Sequence, residues 1–217
     1  MADRERPLAD TLDVLAGPIR DNLDAVHRAR EQGLAACRRV IRACGSAIRA
    51  VHRHQPDRYA EFVEQAEVAL REAQAAVLPH PAVAFAGFLH DAEKEYAEAI
   101  LTEALVSGRA LPGGQEIGVQ LPAWLNGLAE AASEMRRHLL DRLRGGELEM
   151  AEGLLAAMED VYDLLVTIDY PDAVTGGLRR TADALRAVLE RTRSDLTTTL
   201  LQVRLQTAIE RRLPEDP

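Results

Sequence analysis

Carboxylates line one edge of the helix predicted from "AGFLHDAEKEYAEAILTEALVSG", residues 86–108. On a helical wheel of about 100° per residue, Glu95 borders the apolar arc, and Asp91 and Glu98 lie just beyond it. The apolar arc is formed by Phe85, Phe88, Leu89, Ala92, Tyr96 and Ala99. Lys94 is spaced to reach Asp91 or Glu98 but is predicted to point away from Glu95. Because neighbouring carboxylates need a compensating cation, this edge is short of positive charge.

A second pair of carboxylates lies on the helix predicted from "PAWLNGLAEAASEMRRHLLDRL", residues 122–143. Glu134 borders the apolar face and is spaced to pair with Arg137 or His138. Glu130 is about 40° further towards solvent and has no cation at those spacings on its own helix. Two facing helices of this kind would offer the oxygen ligands that Mg²⁺ or Mn²⁺ prefer. An ordinary solvated acidic rim is the alternative that the pattern leaves open.

Other sites of chemistry are not indicated by the motifs. The chain has no Glu-x-x-His pair for a di-iron bundle, no zinc-ligand spacing, no phosphate-binding loop and no nucleophile elbow. "TGGLRR" at 175–180 could seat a phosphate but is better interpreted as a helix start. The net charge of −9 argues against a uniformly basic nucleic-acid binder. Short basic clusters are interpreted as solvated faces; they are Arg38, Arg39 and Arg42, Arg136 and Arg137, and Arg179 and Arg180.

The elements that carry these residues are all predicted to be helices. The chain is 47% hydrophobic but only 4% aromatic, so its core must consist mainly of Ala, Leu and Val. The first predicted helix begins at Pro18, the second runs from an Asp57 cap to Leu78, and the third begins at "PHP", residues 79–81. The fourth and fifth cover about 122–144 and about 147–167. The last runs from a cap at Asp172 or Thr175 to about Arg212. We therefore predict an all-α fold of six or seven long helices in one bundle. One domain spans 1–217, with a core of about 18–212 and frayed ends that include "PEDP".

The sequence also predicts a cytoplasmic protein without contact to a membrane. No apolar run approaches the ~18 residues of a membrane span. The N-terminal "MADRERPLAD" is charged throughout, unlike a signal peptide. Cys37 and Cys44 are seven residues apart on one helix, about 10 Å, which is too far for a disulfide. Both are therefore predicted to be small core residues.

Three segments in order along the chain resemble the translin/TRAX family. "KEYAEA" at 94–99 is similar to the "QEYVEA" of TRAX, the catalytic partner of translin. "WLNGLAEAASEMRR" at 124–137 is similar to a family segment that reads roughly "YLLGVADLTGELMR", and "VYDLL" at 161–165 to the family's "VYDGF" region. The resemblance covers about residues 18–205 and is most specific from Glu95 to Asp163.

The resemblance implies a helical bundle that assembles into a ring- or barrel-shaped, octamer-like homo-oligomer enclosing RNA. TRAX-type chains are Mg²⁺-dependent endoribonucleases, whereas translin-type chains bind nucleic acid and lack the catalytic carboxylates. Carried over by position, two family glutamates fall on Glu95 and Glu98, and the family aspartate falls on Glu130, whose side chain is one methylene longer. Glu134 matches a further family glutamate. The implied catalytic residues are Glu95, Glu98 and Glu130, and Glu134 is added to them as a metal ligand.

The function predicted from the sequence is therefore that of a hydrolase: a metal-dependent endoribonuclease that uses Mg²⁺ or Mn²⁺ to cleave single-stranded or small RNA inside an oligomeric barrel. One alternative is a translin-like protein that binds single-stranded RNA or single-stranded DNA without cleaving it. Another is an unrelated helical scaffold whose acidic edges are simply solvated.

Overall fold

Eight helices make up the part of the chain that the computed structural model describes, residues 7–212 without the side chains of residues 7 and 9. They are α1 (Pro7–His52), α2 (Pro56–Val77), α3 (Pro81–Ala84), α4 (Phe88–Val106), α5 (Leu121–Arg144), α6 (Leu148–Val166), α7 (Asp172–Thr175) and α8 (Leu178–Glu210). Within these residues there is no strand. The predicted all-α fold is confirmed, and of the six or seven long helices predicted, the described residues form six and two short ones. The "PEDP" tail lies outside the described residues.

The first helix is longer than the sequence predicted. It begins at Pro7 and not at Pro18, which lies inside a helix of 46 residues. Residues 8–16, "LADTLDVLA", are mostly good helix formers, and a proline in the first turn loses no hydrogen bond that the helix would otherwise make. Pro18 instead removes one bond from the interior of the helix. The surrounding segment is exposed, so its freed carbonyl is open to water.

Prolines and glycines set several of the other helix boundaries. Pro56 opens α2, so Gln55 is the N-cap and the predicted cap Asp57 lies in the first turn. The predicted third helix is divided, because the chain leaves α3 and re-enters a helix only after Gly87, whose φ of +94° suits glycine. Phe85 falls in this break and is 89% exposed, so its predicted place on the apolar arc is wrong.

Buried Asn126 fixes the segment between α6 and α8. Its Nδ2 donates to Thr175 O at 2.8 Å, and its Oδ1 accepts from Thr181 Oγ1 at 2.6 Å. α8 then begins after Gly177, so the prediction that Asp172 or Thr175 caps this helix is wrong.

Helix α4 lies between α1 and α5 and carries the centre of the core. α1 also packs against α2, and α5 packs against α6 and α8. Cys37 and Cys44 are buried and unpaired, as predicted, and burial raises the pKa of the Cys37 thiol to about 11. No helix within residues 7–212 combines the length and apolarity that a membrane crossing requires.

Small residues bring α4 and α5 into backbone contact. A Cβ on Gly127 would lie 2.7 Å from Ala97 Cβ and 2.8 Å from Lys94 O, so only glycine fits there without displacement. This contact places the following turns of the two helices side by side. Glu98 and Glu130 project from those turns.

Candidate metal centre

Three of the predicted site residues come together where α4 meets α5. Glu95 and Glu98 lie almost one turn apart on α4, and Glu130 approaches from α5. A carboxylate oxygen from each can be chosen so that all three lie within 4.8 Å of one another. Glu98, which the wheel put beyond the apolar arc, is only 9% exposed.

Lys94 is the cation that contacts this group, and it does so differently from the prediction. Its Nζ donates to Glu130 Oε1 at 2.7 Å and lies 3.8 Å from Glu95 Oε1. The expected ion pairs with Asp91 and Glu98 are not formed among the described residues. Because α5 comes so close to α4 at Gly127, the lysine reaches across to Glu130 instead of along its own helix.

Burial and repulsion between neighbouring carboxylates raise the pKa of Glu95 and of Glu98. Burial raises the pKa of Glu98 to about 9, and the charges of Glu130, Glu95 and Glu134 add to this. Burial likewise raises the pKa of Glu95, against the opposing effect of Lys94. Burial lowers the pKa of Lys94, but its hydrogen bond to Glu130 and the surrounding carboxylates outweigh that effect and raise it. Lys94 is the one cation paired with this group among the described residues.

The fourth predicted ligand, Glu134, lies outside the group of three. Its Oε2 is 2.7 Å from Nε2 of His52 on α1, whose side chain is only 4% exposed. The predicted pairing with Arg137 or His138 is therefore wrong. Sequence analysis missed His52 because it lies 82 residues from Glu134, where helix spacing gives no signal.

A further buried carboxylate, Glu93, was also missed and has a structural role. It is 2% exposed and accepts hydrogen bonds from Gln74 Nε2 at 2.8 Å and from Gln120 N–H at 3.1 Å. Gln74 Nε2 also donates to Gly118 O at 2.8 Å. Glu93 thereby attaches the 107–120 loop to α2 and α4, away from the group of three.

The donor set fits a hard divalent cation. Mg²⁺ and Mn²⁺ are bound in proteins mainly by oxygen, and three carboxylates from two packed helices supply only oxygen. A divalent ion would also replace the missing positive charge and favour the ionised form of Glu98.

Comparison with known proteins identifies the fold as translin-like. No known family model matches the chain. The chain is similar to AfC3PO from Archaeoglobus, a translin-family protein whose structure was solved in complex with duplex RNA. The identity is 28% and the TM-score 0.76, and the match covers 85% of this chain and 96% of AfC3PO. A second AfC3PO structure gives 29% identity and a TM-score of 0.77 at the same coverage.

Two further proteins are similar to this chain. Apo-NeC3PO from Neurospora shares the fold, with 16% identity, a TM-score of 0.75, and coverage of 91% of this chain and 100% of NeC3PO. An uncharacterized protein of Methanocaldococcus jannaschii is 27% identical over 193 residues, which is 88% of this chain and 83% of that protein.

Proposed function

We propose that this chain binds RNA and, as a TRAX-like member of the translin family, cleaves single-stranded RNA with the aid of Mg²⁺ or Mn²⁺. The observation that carries the proposal is the group Glu95, Glu98 and Glu130, three carboxylates from two helices with oxygens within 4.8 Å. The similarity to AfC3PO, which forms a complex with duplex RNA, supports the nucleic-acid part.

In this proposal the protein contributes a rigid, partly buried set of ligands. Bound Mg²⁺ would supply a water of lowered pKa and stabilise charge on the departing oxygen. Glu95 and Glu98 are held in one orientation by α4, and Glu130 reaches the same point from α5 with its longer side chain. Glu98 would hold the cation as a carboxylate and would therefore have to give up its proton, because a ligating carboxylate must be ionised.

The alternative of a binding protein without catalysis is favoured by one specific contact. Lys94 Nζ already lies 2.7 Å from Glu130 Oε1, so an internal cation occupies one of the three proposed ligands. If Lys94 held this position permanently, the protein would bind single-stranded RNA or single-stranded DNA and leave it intact.

Cleavage of a labelled single-stranded RNA tests the proposal. We expect cleavage by the wild type with Mg²⁺ or Mn²⁺, and its loss with EDTA, with Glu95→Gln and with Glu98→Gln. Asp91→Asn is the matched control, since Asp91 is an exposed carboxylate on the same helix outside the group of three. Cleavage that survives Glu98→Gln would remove the site assignment. Binding without cleavage in every metal would select the alternative.

We also infer that the chain forms a closed homo-oligomer. Support comes from apolar side chains that stay exposed along the N-terminal half of α1; they are Leu8, Leu12, Leu15, Ile19 and Leu23, with 54–70% of each exposed. A contiguous apolar surface of this kind is typical of an interface between chains.

A further inference from the structure

Four arginines form a stripe along the exposed face of α1. Measured from Arg38, the directions of Arg42, Arg49 and Arg53 are about 40°, 20° and 60° around the helix. Arg53 follows the last helical residue, but its N–H still donates to Arg49 O. All four are exposed, and the stripe is about 22 Å long by helix rise. We call Arg38, Arg42, Arg49 and Arg53 the arginine stripe.

The stripe carries positive charge that no carboxylate neutralises. Within residues 7–212, none of its members forms an ion pair. The adjacent Arg39, by contrast, points about 100° away from Arg38 and pairs with Glu72 on α2. Unpaired guanidinium groups aligned in this way attract an anion with repeated charges, even though the whole chain has a net charge of −9.

The C-terminal end of the stripe lies near the contact between His52 and Glu134. His52 lies between Arg49 and Arg53 in sequence and projects at about −40°, at the edge of the stripe. Ser46 steadies the middle of the stripe, because its Oγ accepts from Arg49 Nη2 at 2.9 Å and donates to Arg42 O at 3.0 Å. A polymer bound along the stripe would thus end beside His52 and Glu134, about one turn of α5 beyond Glu130.

On its α2 side, the stripe borders acidic side chains. A groove of about 660 Å³ between α1 and α2 is lined by Arg39 and Arg42 of α1 and by Glu61, Glu64 and Glu72 of α2. These carboxylates repel phosphates and restrict an anionic strand to α1.

We propose that the arginine stripe binds the phosphodiester backbone of an RNA strand and leads it to the Glu95–Glu98–Glu130 group. The proposal rests on the proposed function and adds to it a binding track on this chain's own residues. Guanidinium groups bind phosphate with two parallel hydrogen bonds, so the track contributes affinity without reading bases. The contacts are electrostatic and therefore weaken as salt is added.

The salt dependence of RNA binding tests the track. The affinity for a labelled single-stranded RNA is measured in EDTA over a salt series for the wild type, Arg42→Gln/Arg49→Gln, and the control Arg39→Gln. Losing two phosphate contacts reduces the slope of log K against log salt by about 1.4 and weakens binding about 25-fold at 0.1 M salt. Arg39→Gln removes the same kind of charge off the stripe and leaves the slope unchanged. A second pair, Arg38→Gln/Arg53→Gln, should repeat the double-variant result.

Cleavage kinetics provide the second readout. The stripe variants should raise KM for long RNA and leave kcat unchanged, and they should cleave a dinucleotide as the wild type does. If the wild type binds RNA but both double variants keep its affinity and slope, the stripe is overturned and the proposed function stands. If the wild type binds no RNA at all, both are overturned. Loss of cleavage alone, with the slopes changed as expected, removes only the nuclease.

Discussion

At the scale of single residues, Glu98 shows how packing sets the chemistry of the candidate site. The wheel placed it beyond the apolar arc, but the approach of α5 buries it beside Glu130. Burial and like charge then raise its pKa to about 9. Glu98 thus holds a proton at neutral pH, at a position where a bound metal ion would require a carboxylate.

Replacing Glu98 by glutamine should stabilise the protein in EDTA. Folded Glu98 keeps its proton up to about pH 9, whereas the unfolded chain releases it near the ordinary 4.5. Raising the pH from about 4.5 to about 9 therefore lowers the free energy of unfolding. The contribution of Glu98 to stability is complete below about pH 4.5 and is lost as the pH rises towards 9. At pH 8 we expect Glu98→Gln to gain about 1–2 kcal/mol, or roughly 4 °C in Tm, and to flatten the pH profile.

Thermal unfolding from about pH 5 to 9 measures this difference, with Asp91→Asn as the exposed control. Adding Mg²⁺ should raise Tm for the wild type and leave Glu98→Gln unchanged. A wild-type Tm that rises steadily with pH in EDTA would contradict the assignment.

Removing the charge of Lys94 separates two effects of this residue. One is its competition with a divalent cation for Glu130, and the other is its stabilisation of the three carboxylates. In Lys94→Met the three carboxylates lose their cation, so Mn²⁺ should bind about fivefold more tightly, a gain of ~1 kcal/mol, while Tm in EDTA falls. Calorimetric titration with Mn²⁺ and melting curves give both numbers. Unchanged Mn²⁺ affinity would show that Lys94 does not compete with the cation for Glu130.

At the scale of the elements, the contact between α4 and α5 positions the site. Gly127 allows the two backbones to touch, and Glu130 follows three residues later on the same helix. The sequence showed a glycine inside a helical pattern, which usually lowers helix stability relative to alanine. Gly127 is needed here because a second helix packs against it, and the residue pattern of one helix does not reveal that contact.

Alanine at position 127 should therefore destabilise the protein despite its better helix propensity. The new Cβ would lie 2.7 Å from Ala97 Cβ and 2.9 Å from Glu98 N, so the helices must move apart at a cost of about 1–3 kcal/mol. The matched control is Gly153→Ala on α6, where nothing lies within 4 Å and a gain of about 0.5–1 kcal/mol is expected. Chemical denaturation measures both, and a stabilised Gly127→Ala would contradict the close approach.

At the scale of the whole molecule, exposed apolar and charged surfaces indicate how copies would join. The end of α8 carries a second apolar row, Leu201, Leu205 and Ile209, of which 50–62% is exposed. The first part of α1 is acidic at Asp10, Asp13, Asp21 and Asp24. Arg204 on α8 and Arg211 and Arg212 just after it make the other end basic. Contact between α1 of one copy and α8 of the next would join unlike surfaces, an arrangement that forms a ring when the rotation between copies closes.

A charge on the apolar surface of α1 should dissociate the oligomer. Leu15 is 54% exposed, so Leu15→Glu should leave the fold of one chain intact while placing a carboxylate in the interface. Light scattering is expected to show a multiple of 23.8 kDa for the wild type and a smaller assembly for the variant. Met150→Glu, at another exposed apolar residue on α6, serves as control. A monomeric wild type would contradict the proposed ring.

The sequence by itself determined the all-α class, the six long helices and the regular spacing that puts Glu95 with Glu98 and Glu130 with Glu134, because these features depend on contacts within three or four residues. The resemblance also grouped Glu95, Glu98 and Glu130. Only the tertiary structure decided which cation meets which carboxylate. Lys94 contacts Glu130 across 36 residues and His52 contacts Glu134 across 82, and helix spacing carries no information over such separations. The same packing decided that Glu98 is buried, since burial depends on where the neighbouring helix lies.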